Sequence, residues 1–184
     1  MDFFKPFIQG LMVLTPKIFT DNRGYFYESY NKHTFAELGI TTEFLQDNES
    51  FSFQNTLRGL HFQKSPFAQA KLVRVLEGSV WDVAVDLRKN SPTFGKWYGV
   101  ELSAENKKQF YIPHGFAHGF SVLTPTAKFY YKCDNFYNKA SEGAILFNDK
   151  ELNIDWHIDL SKAVLSEKDL KNLSFANYKE NPCF

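Results

Sequence analysis

The chain has 184 residues and balances 21 Lys and Arg against 21 Asp and Glu, with no basic run longer than a pair. That argues against a phosphate-tracking nucleic-acid surface and leaves room for a basic pocket that takes a small anion. Aromatics make up 17%, with twenty Phe, a content that leans towards β-rich packing in one domain spanning residues 1–184. No apolar run approaches the ~20 residues of a membrane helix. The N-terminal stretch also lacks the apolar region and small-residue cleavage site of a secretory signal. Cys133 and Cys183 lie far apart and outside any C-x-x-C pair, so a soluble, reduced, cytoplasmic protein is expected.

Residues 7–19 predict a strand or strand pair broken by Pro16. Asp21 to Gly24 is a turn, and Tyr25 to Tyr30 carries a strong β signal. Asn31 is a candidate cap for a short helix reaching Leu38 and ended by Gly39. Residues 44–50 begin extended and become polar, and 52–55 read as a loop. From Leu57 to Gln63 the pattern alternates imperfectly. Leu57, Gly59, His61 and Gln63 fall on one face, and Arg58, Leu60 and Phe62 on the other.

Lys64-Ser65-Pro66 marks a turn, and Lys71 opens a second strand stopped by Gly78. Two strands joined by a polar loop thus bring His61, Arg58 and Lys71 towards one surface: a base, a fixed cation and a titratable cation. Chemistry at a carbonyl needs such a set, although a solvated hairpin carries the same residues.

In the next strand Trp81, Val83, Val85 and Leu87 face one way, and Asp82, Ala84, Asp86 and Arg88 the other. Those two carboxylates either face water or line a cavity. Trp97 to Leu102 is a strand, Phe110 to Leu123 reads strand, Pro-His-Gly turn, strand, and Lys128 to Asp134 continues the β pattern. Ser141 to Gly143 is a loop, Ile145 to Phe147 the last short strand, and residues 148–156 a turn-rich tail. Ser166 would cap a helix with Asp169 at its third position. Many short strands about eight to twelve residues apart argue for an antiparallel sandwich or barrel. No βαβ alternation, Gly-x-Gly-x-x-Gly or P-loop is present, which counts against nucleotide cofactors held by those devices.

The motifs form a series: Asp-Asn-Arg-Gly-Tyr-Phe-Tyr-Glu-Ser (21–29), Phe-Leu-Gln-Asp-Asn-Glu-Ser (44–50) and Leu-Arg-Gly-Leu-His-Phe-Gln (57–63). Val-Asp-Leu-Arg-Lys-Asn-Ser-Pro-Thr-Phe-Gly (85–95), Ile-Pro-His-Gly-Phe-Ala-His-Gly-Phe (112–120), Asn-Asp (148–149) and Leu-Ser-Glu-Lys-Asp (165–169) continue it. In order and spacing the chain resembles the dTDP-4-dehydrorhamnose 3,5-epimerases, a metal-free branch of the cupin jelly rolls, over roughly residues 8–170. The resemblance implies a mainly β, cupin-type antiparallel jelly roll or sandwich with short peripheral helices. It also implies a cofactor-free double epimerisation, at C3 and C5, of a dTDP-linked 4-keto-6-deoxyhexose on the way to dTDP-rhamnose and cell-surface polysaccharide.

By the same resemblance His61 is the general base, Asp169 its carboxylate partner, Tyr131 the acid on the opposite face and Lys71 the cation near the keto oxygen. An imidazole, with a solution pKa of about 6.5, suits the removal of a mildly acidic α-proton. A carboxylate on its other nitrogen sets the tautomer, and inversion requires a second group on the far side. Arg23, Glu28, Gln46, Asp47, Asn48, Arg58, His118, Glu142 and Lys168 match positions that hold sugar, diphosphate and thymidine, and Tyr137 an aromatic that stacks on thymine. A homodimer is implied, with Arg23 and Glu28 reaching the neighbour's pocket. Asp82 and Asp86 are open between supporting the site and a purely structural role.

Departures are Ala70 where glycine is common, Phe136 in place of a frequent tyrosine, and His157 where proline is usual, read as a loosened tail position. Three histidines, His61, His114 and His118, raise a metal reading, but Gln63 stands where metal cupins carry a second histidine, so no metal is expected. A non-catalytic sugar-binding jelly roll has no use for His61, Lys71, Tyr131 and Asp169 together. A single-carbon epimerase or a ketoisomerase on the same scaffold is the nearer alternative.

Overall fold

A computed structural model describes residues 1–184. Its strands are β1 (Asp2–Phe4), β2 (Met12–Thr15), β3 (Phe19–Asp21), β4 (Gly24–Phe26), β5 (Gln46–Phe53), β6 (Leu57–Gln63) and β7 (Lys71–Glu77). They continue with β8 (Ser79–Asp86), β9 (Trp97–Ser103), β10 (Gln109–Ile112), β11 (Phe116–Val122), β12 (Thr126–Cys133) and β13 (Glu142–Ala144). Two short helices, α1 (Lys32–Glu37) and α2 (Phe175–Glu180), lie at the periphery. A six-stranded sheet, β1-β2-β10-β7-β12-β5, faces a five-stranded one, β13-β6-β11-β8-β9, and β3-β4 form a separate hairpin. The pairings within the sheets are antiparallel, as in the cupin jelly roll.

The sheets are held by side chains from both inner faces: Val73, Val75, Phe110 and Phe129 from the six-stranded sheet, Val80, Ala84, Val100 and Phe120 from the other. Alternation places every second residue of each strand in this layer, and its burial is the main driving force for closing the sandwich. The outer face of the five-stranded sheet is also covered. Val83, Val85 and Leu60 pack under Trp156, Phe175 and Tyr178 from the C-terminal segment. Helix α1 plugs the other outer face with Phe35 against Leu14 and Leu72. It starts where expected, with Asn31 Oδ1 accepting from the amides of His33 and Thr34.

Several expectations need correction. The strands carrying His61 and Lys71 are not a hairpin: β6 belongs to one sheet and β7 to the other, so the loop between them crosses the sandwich. The alternation of β8 is right, but both its faces are buried, and Asp82 and Asp86 have no exposed surface. The β signal of Tyr25 to Tyr30 yields only the short β4. The late strand is Glu142–Ala144, paired with β6, not Ile145–Phe147. Ser166 begins a tight turn into a 3₁₀ segment at Asp169–Lys171, and the regular helix there is α2. His157 is not loose: its ring stacks on Trp81 with centroids 3.8 Å apart.

Candidate active site

One cavity of about 600 Å³ opens between the two sheets, and His61, Lys71, Arg58, His118, Tyr131, Glu142, Lys168 and Asp169 all line it. A regular strand would send Arg58 and His61 to opposite faces, because three positions separate them. Strand β6 is not regular. Between the pairings Arg58↔Phe120 and His61↔His118 it advances from 58 to 61 while β11 spans only 118 to 120. The extra residue is a bulge that turns both side chains into the cavity. Glycine makes it possible: Gly59 has φ +144, and a Cβ there would come within 2.5 Å of the Gly119 Cα on β11.

On the five-stranded wall, His61 Nε2 lies 2.5 Å from Asp169 Oδ1. The other carboxylate oxygen accepts from Ser166 Oγ at 2.8 Å. Burial pushes the Asp169 carboxyl up, but the hydrogen bond and charge of His61, with Ser166 and Asn172, outweigh it and hold the pKa below the usual value. Next along this wall, His118 Nε2 meets both oxygens of Asp82 at 3.0 and 2.9 Å, in a pair whose side chains are 8% and 0% exposed. Burial dominates both groups there, pushing the imidazole down and the carboxyl up. Asp82 therefore supports the site. Asp86 does not: Arg88, Ser91 and Thr93 consume it at the end of β8, where it fixes the following loop.

The six-stranded wall supplies Lys71 and Tyr131, with Lys71 Nζ 5.9 Å from the centre of the Tyr131 ring. Burial lowers the Lys71 ammonium, opposed by Cys133 and Asp82. Burial also raises the Tyr131 phenol, so its proton is retained near neutral pH and available for donation. Behind them Phe120 and Phe129, one from each sheet, stack at 4.2 Å and close the floor. The result is a half-apolar pocket with cations and titratable groups on facing walls, a setting in which charge interactions are strengthened.

Near the mouth, Arg58 Nε donates to Ser52 Oγ at 3.1 Å. Lys168 is ion-paired with Glu142, which also accepts from Tyr137 OH at 3.2 Å. Gln46, Asn48 and Tyr137 are not among the residues that line the cavity; Gln46 Nε2 donates to Asn48 Oδ1 at 2.8 Å, and the Tyr137 amide donates to Gln46 Oε1. Asp47 lies on the other face of β5, bound to Tyr130 and Lys132. Arg23 and Glu28 are also apart from this cavity. Arg23 is 86% exposed and pairs with Asp21 at 2.6 Å, and Glu28 accepts from Asn31.

A family model described as dTDP-4-dehydrorhamnose 3,5-epimerase matches residues 5–177. The chain belongs to the dTDP-4-dehydrorhamnose 3,5-epimerase family. A member from Shigella flexneri is 52% identical over 178 residues, 96% of this chain and 97% of that one. The crystal structure of the enzyme of that name from Elizabethkingia anophelis superposes with TM-score 0.94 at 58% identity, covering 97% of this chain and 98% of the other. A Legionella pneumophila epimerase in complex with dTDP-4-keto-L-rhamnose gives TM-score 0.91 at 49% identity, over 95% and 93% of the two chains. This chain is thus an epimerase-family isomerase. No helix is long and apolar enough to cross a membrane.

Within this epimerase His61 and His118 are cross-strand partners lining one cavity, and His114 lies apart from it. His61 pairs with Asp169, His118 with Asp82 and His114 with Asp134 at 2.7 Å, and no three metal-type donors gather in one place. Gln63 is consumed by the backbone of Phe67, Phe136 and Asn138, tying down the loops beside the mouth. Sequence reasoning missed Ser50, Ser52 and the Phe120–Phe129 floor. Alternation in β5 was the available signal for the serines, since Ser50 and Ser52 are two residues apart. The loop-like Ser-Phe-Gln-Asn of residues 52–55 masks it.

Proposed function

We infer that this chain converts dTDP-4-dehydro-6-deoxy-D-glucose to dTDP-4-dehydro-L-rhamnose by inverting C3 and C5. The observation that carries the reading is that His61 and Tyr131 stand on facing walls of one cavity, with Lys71 beside Tyr131. His61 takes the proton α to the ketone, and the electron pair moves onto the C4 oxygen as an enolate. Asp169 stabilises the imidazolium, and Lys71 stabilises the enolate oxygen electrostatically. Tyr131 returns a proton to carbon from the other side, which inverts the centre. Solvent then reprotonates the phenolate and accepts the imidazolium proton, so the enzyme ends unchanged.

Arg58, Lys168 and His118 supply positive or hydrogen-bonding groups for the diphosphate and sugar, Tyr137 an aromatic face for thymine, and Glu142, Gln46 and Asn48 polar contacts at the rim. The working form is a homodimer. Phe19, Tyr25 and Phe26 on the β3-β4 hairpin are exposed, an arrangement that suits burial against a second copy. In that dimer Arg23 and Glu28 reach the partner's cavity. Free Cys133 and Cys183 fit a cytoplasmic location.

Proton NMR of the product formed from dTDP-4-keto-6-deoxyglucose tests the reading. Inversion at both carbons is expected. Inversion at one carbon would make it a single-carbon epimerase, and a shifted carbonyl a ketoisomerase.

A further inference from the structure

The carboxylate of Asp169 reaches His61 from a segment with little core of its own. Residues 164–173 cross the mouth of the cavity, pinned at one end by the parallel bridge Thr56↔Val164 and at the other by Ile145↔Leu173. At the first anchor Leu57 N donates to Val164 O at 3.0 Å and Val164 N to Asn55 O at 2.9 Å. Ser166 follows two residues later, so its backbone is fixed relative to the start of the strand that carries His61. Its hydroxyl makes two contacts with one residue. Oγ donates to Asp169 Oδ2 at 2.8 Å and accepts from the Asp169 amide at 3.2 Å. The Asp169 amide also lies 3.1 Å from Ser166 O.

The carboxylate has two oxygens and needs both oriented. Oδ1 is directed at His61, and the Ser166 hydroxyl is the donor placed on Oδ2, so losing it loosens the carboxylate about its Cβ–Cγ bond. Asp169 is 3% exposed, so water has little access to replace a lost donor.

We propose that Ser166 is a positioning residue of this epimerase, holding the Asp169 carboxylate in the orientation and charge state that serve His61. The proposal rests on the assignment of His61 as the base. A hydroxyl dipole with its hydrogen towards the pair favours the proton-poor forms of the dyad. Removing it raises the Asp169 carboxyl, whose ionised form the hydroxyl stabilises. Ser166 is itself exposed, so replacing it leaves the core untouched.

The test compares wild type, Ser166→Ala and Ser166→Thr. In Ser166→Ala, kcat is expected to fall on the order of tenfold, while the Kd for dTDP and the KM change less than about twofold. The acid limb of the kcat/KM profile moves to higher pH, and Ser166→Thr restores both kcat and the limb. In an Asp169→Asn background the same Ser166→Ala change should cost less than about twofold, because no carboxylate is then left to orient towards His61.

An NMR titration of the Asp169 carboxyl must also move upward in Ser166→Ala whichever reaction the enzyme catalyses. That separates the two readings. If the titration shifts but wild type does not epimerise, the assigned reaction is wrong and the positioning role stands. An unshifted titration, an unchanged kcat, or an equal loss in the Asp169→Asn background overturns the role of Ser166.

Discussion

Asp169 Oδ1 and His61 Nε2 meet at 2.5 Å although 108 positions separate them in the chain. The contact occupies one ring nitrogen and leaves the other to take the substrate proton in the proposed reaction. A histidine base held in this way has a fixed tautomer and a partner for the charge it acquires.

Replacing Asp169 by Asn should lower kcat by at least ~10²-fold, read with the dTDP-linked 4-keto substrate at saturating concentration. The same variant tests the electrostatics of folding. Asp169 is held below the ordinary carboxylate pKa, so its ionised form stabilises the fold above the unfolded value of about 3.9, and that contribution is lost as pH falls through the lower folded value. The melting-temperature advantage of wild type over Asp169→Asn is therefore expected to be full near pH 6 and to shrink below about pH 4. A difference that grew towards acid pH would contradict this sign.

Gly59 is the second sensitive point. Its φ of +144 is a region that side-chain-bearing residues rarely occupy, and a Cβ would meet Gly119 at 2.5 Å. Gly59→Ala should cost about 3 kcal/mol or more in denaturant unfolding. Any folded fraction should also lose activity, since relaxing the bulge turns Arg58 away from His61. Wild-type stability for this variant would show that the bulge is not required.

Arg58→Lys keeps the charge but not the planar fork. The guanidinium donates Nε to Ser52 while leaving other donors towards the cavity, an arrangement an ammonium cannot copy. The affinity for dTDP, measured by calorimetry, should fall roughly tenfold, equal to about 1.4 kcal/mol. Unchanged affinity would remove Arg58 from the diphosphate site.

The hairpin residues test assembly. Arg23 lies outside the cavity of its own chain, so Arg23→Ala and His61→Ala proteins should each be nearly inactive alone and regain activity when mixed and allowed to exchange subunits. Statistical mixing sets the ceiling at about one intact site in half of the dimers. Sedimentation showing an active monomer, or no recovery on proven exchange, would contradict an action in trans.

Much of this was legible in the sequence because it depends on local pattern. The antiparallel class follows from the spacing of strands and turns, and the cap at Asn31 from one side chain and two amides. What was not legible depends on pairing over distance. Alternation cannot tell which face of β8 is interior when both are buried, so the roles of Asp82 and Asp86 separated only once His118 and Arg88 were in place. Alternation also gave the wrong partition of Arg58 and His61, because a bulge is defined by the partner strand. Asp47 shows the same limit. It stands in a matching motif next to Gln46 and Asn48, yet the pleat sends it to Tyr130 and Lys132 on the far face.

The two proton-transfer roles proposed for His61 and Tyr131 are separable by isotope exchange. In heavy water with the dTDP-linked 4-keto substrate, His61→Ala should abolish both deuterium incorporation and inversion, since no enolate forms. Tyr131→Phe should behave differently. The enolate still forms, and His61 returns deuterium to the face from which the proton left, so label enters with retained configuration at one or both carbons. The loss of either group from the inverting reaction is expected to be ~10²–10⁴-fold in rate. Normal inversion in Tyr131→Phe would remove the assigned acid, and exchange persisting in His61→Ala would remove the assigned base. Each variant is first shown to bind dTDP by its thermal shift, so that lost exchange reports on proton transfer and not on an empty site. Tyr131 and His61 come from different sheets, and for that reason neither side chain can substitute for the other from its own wall.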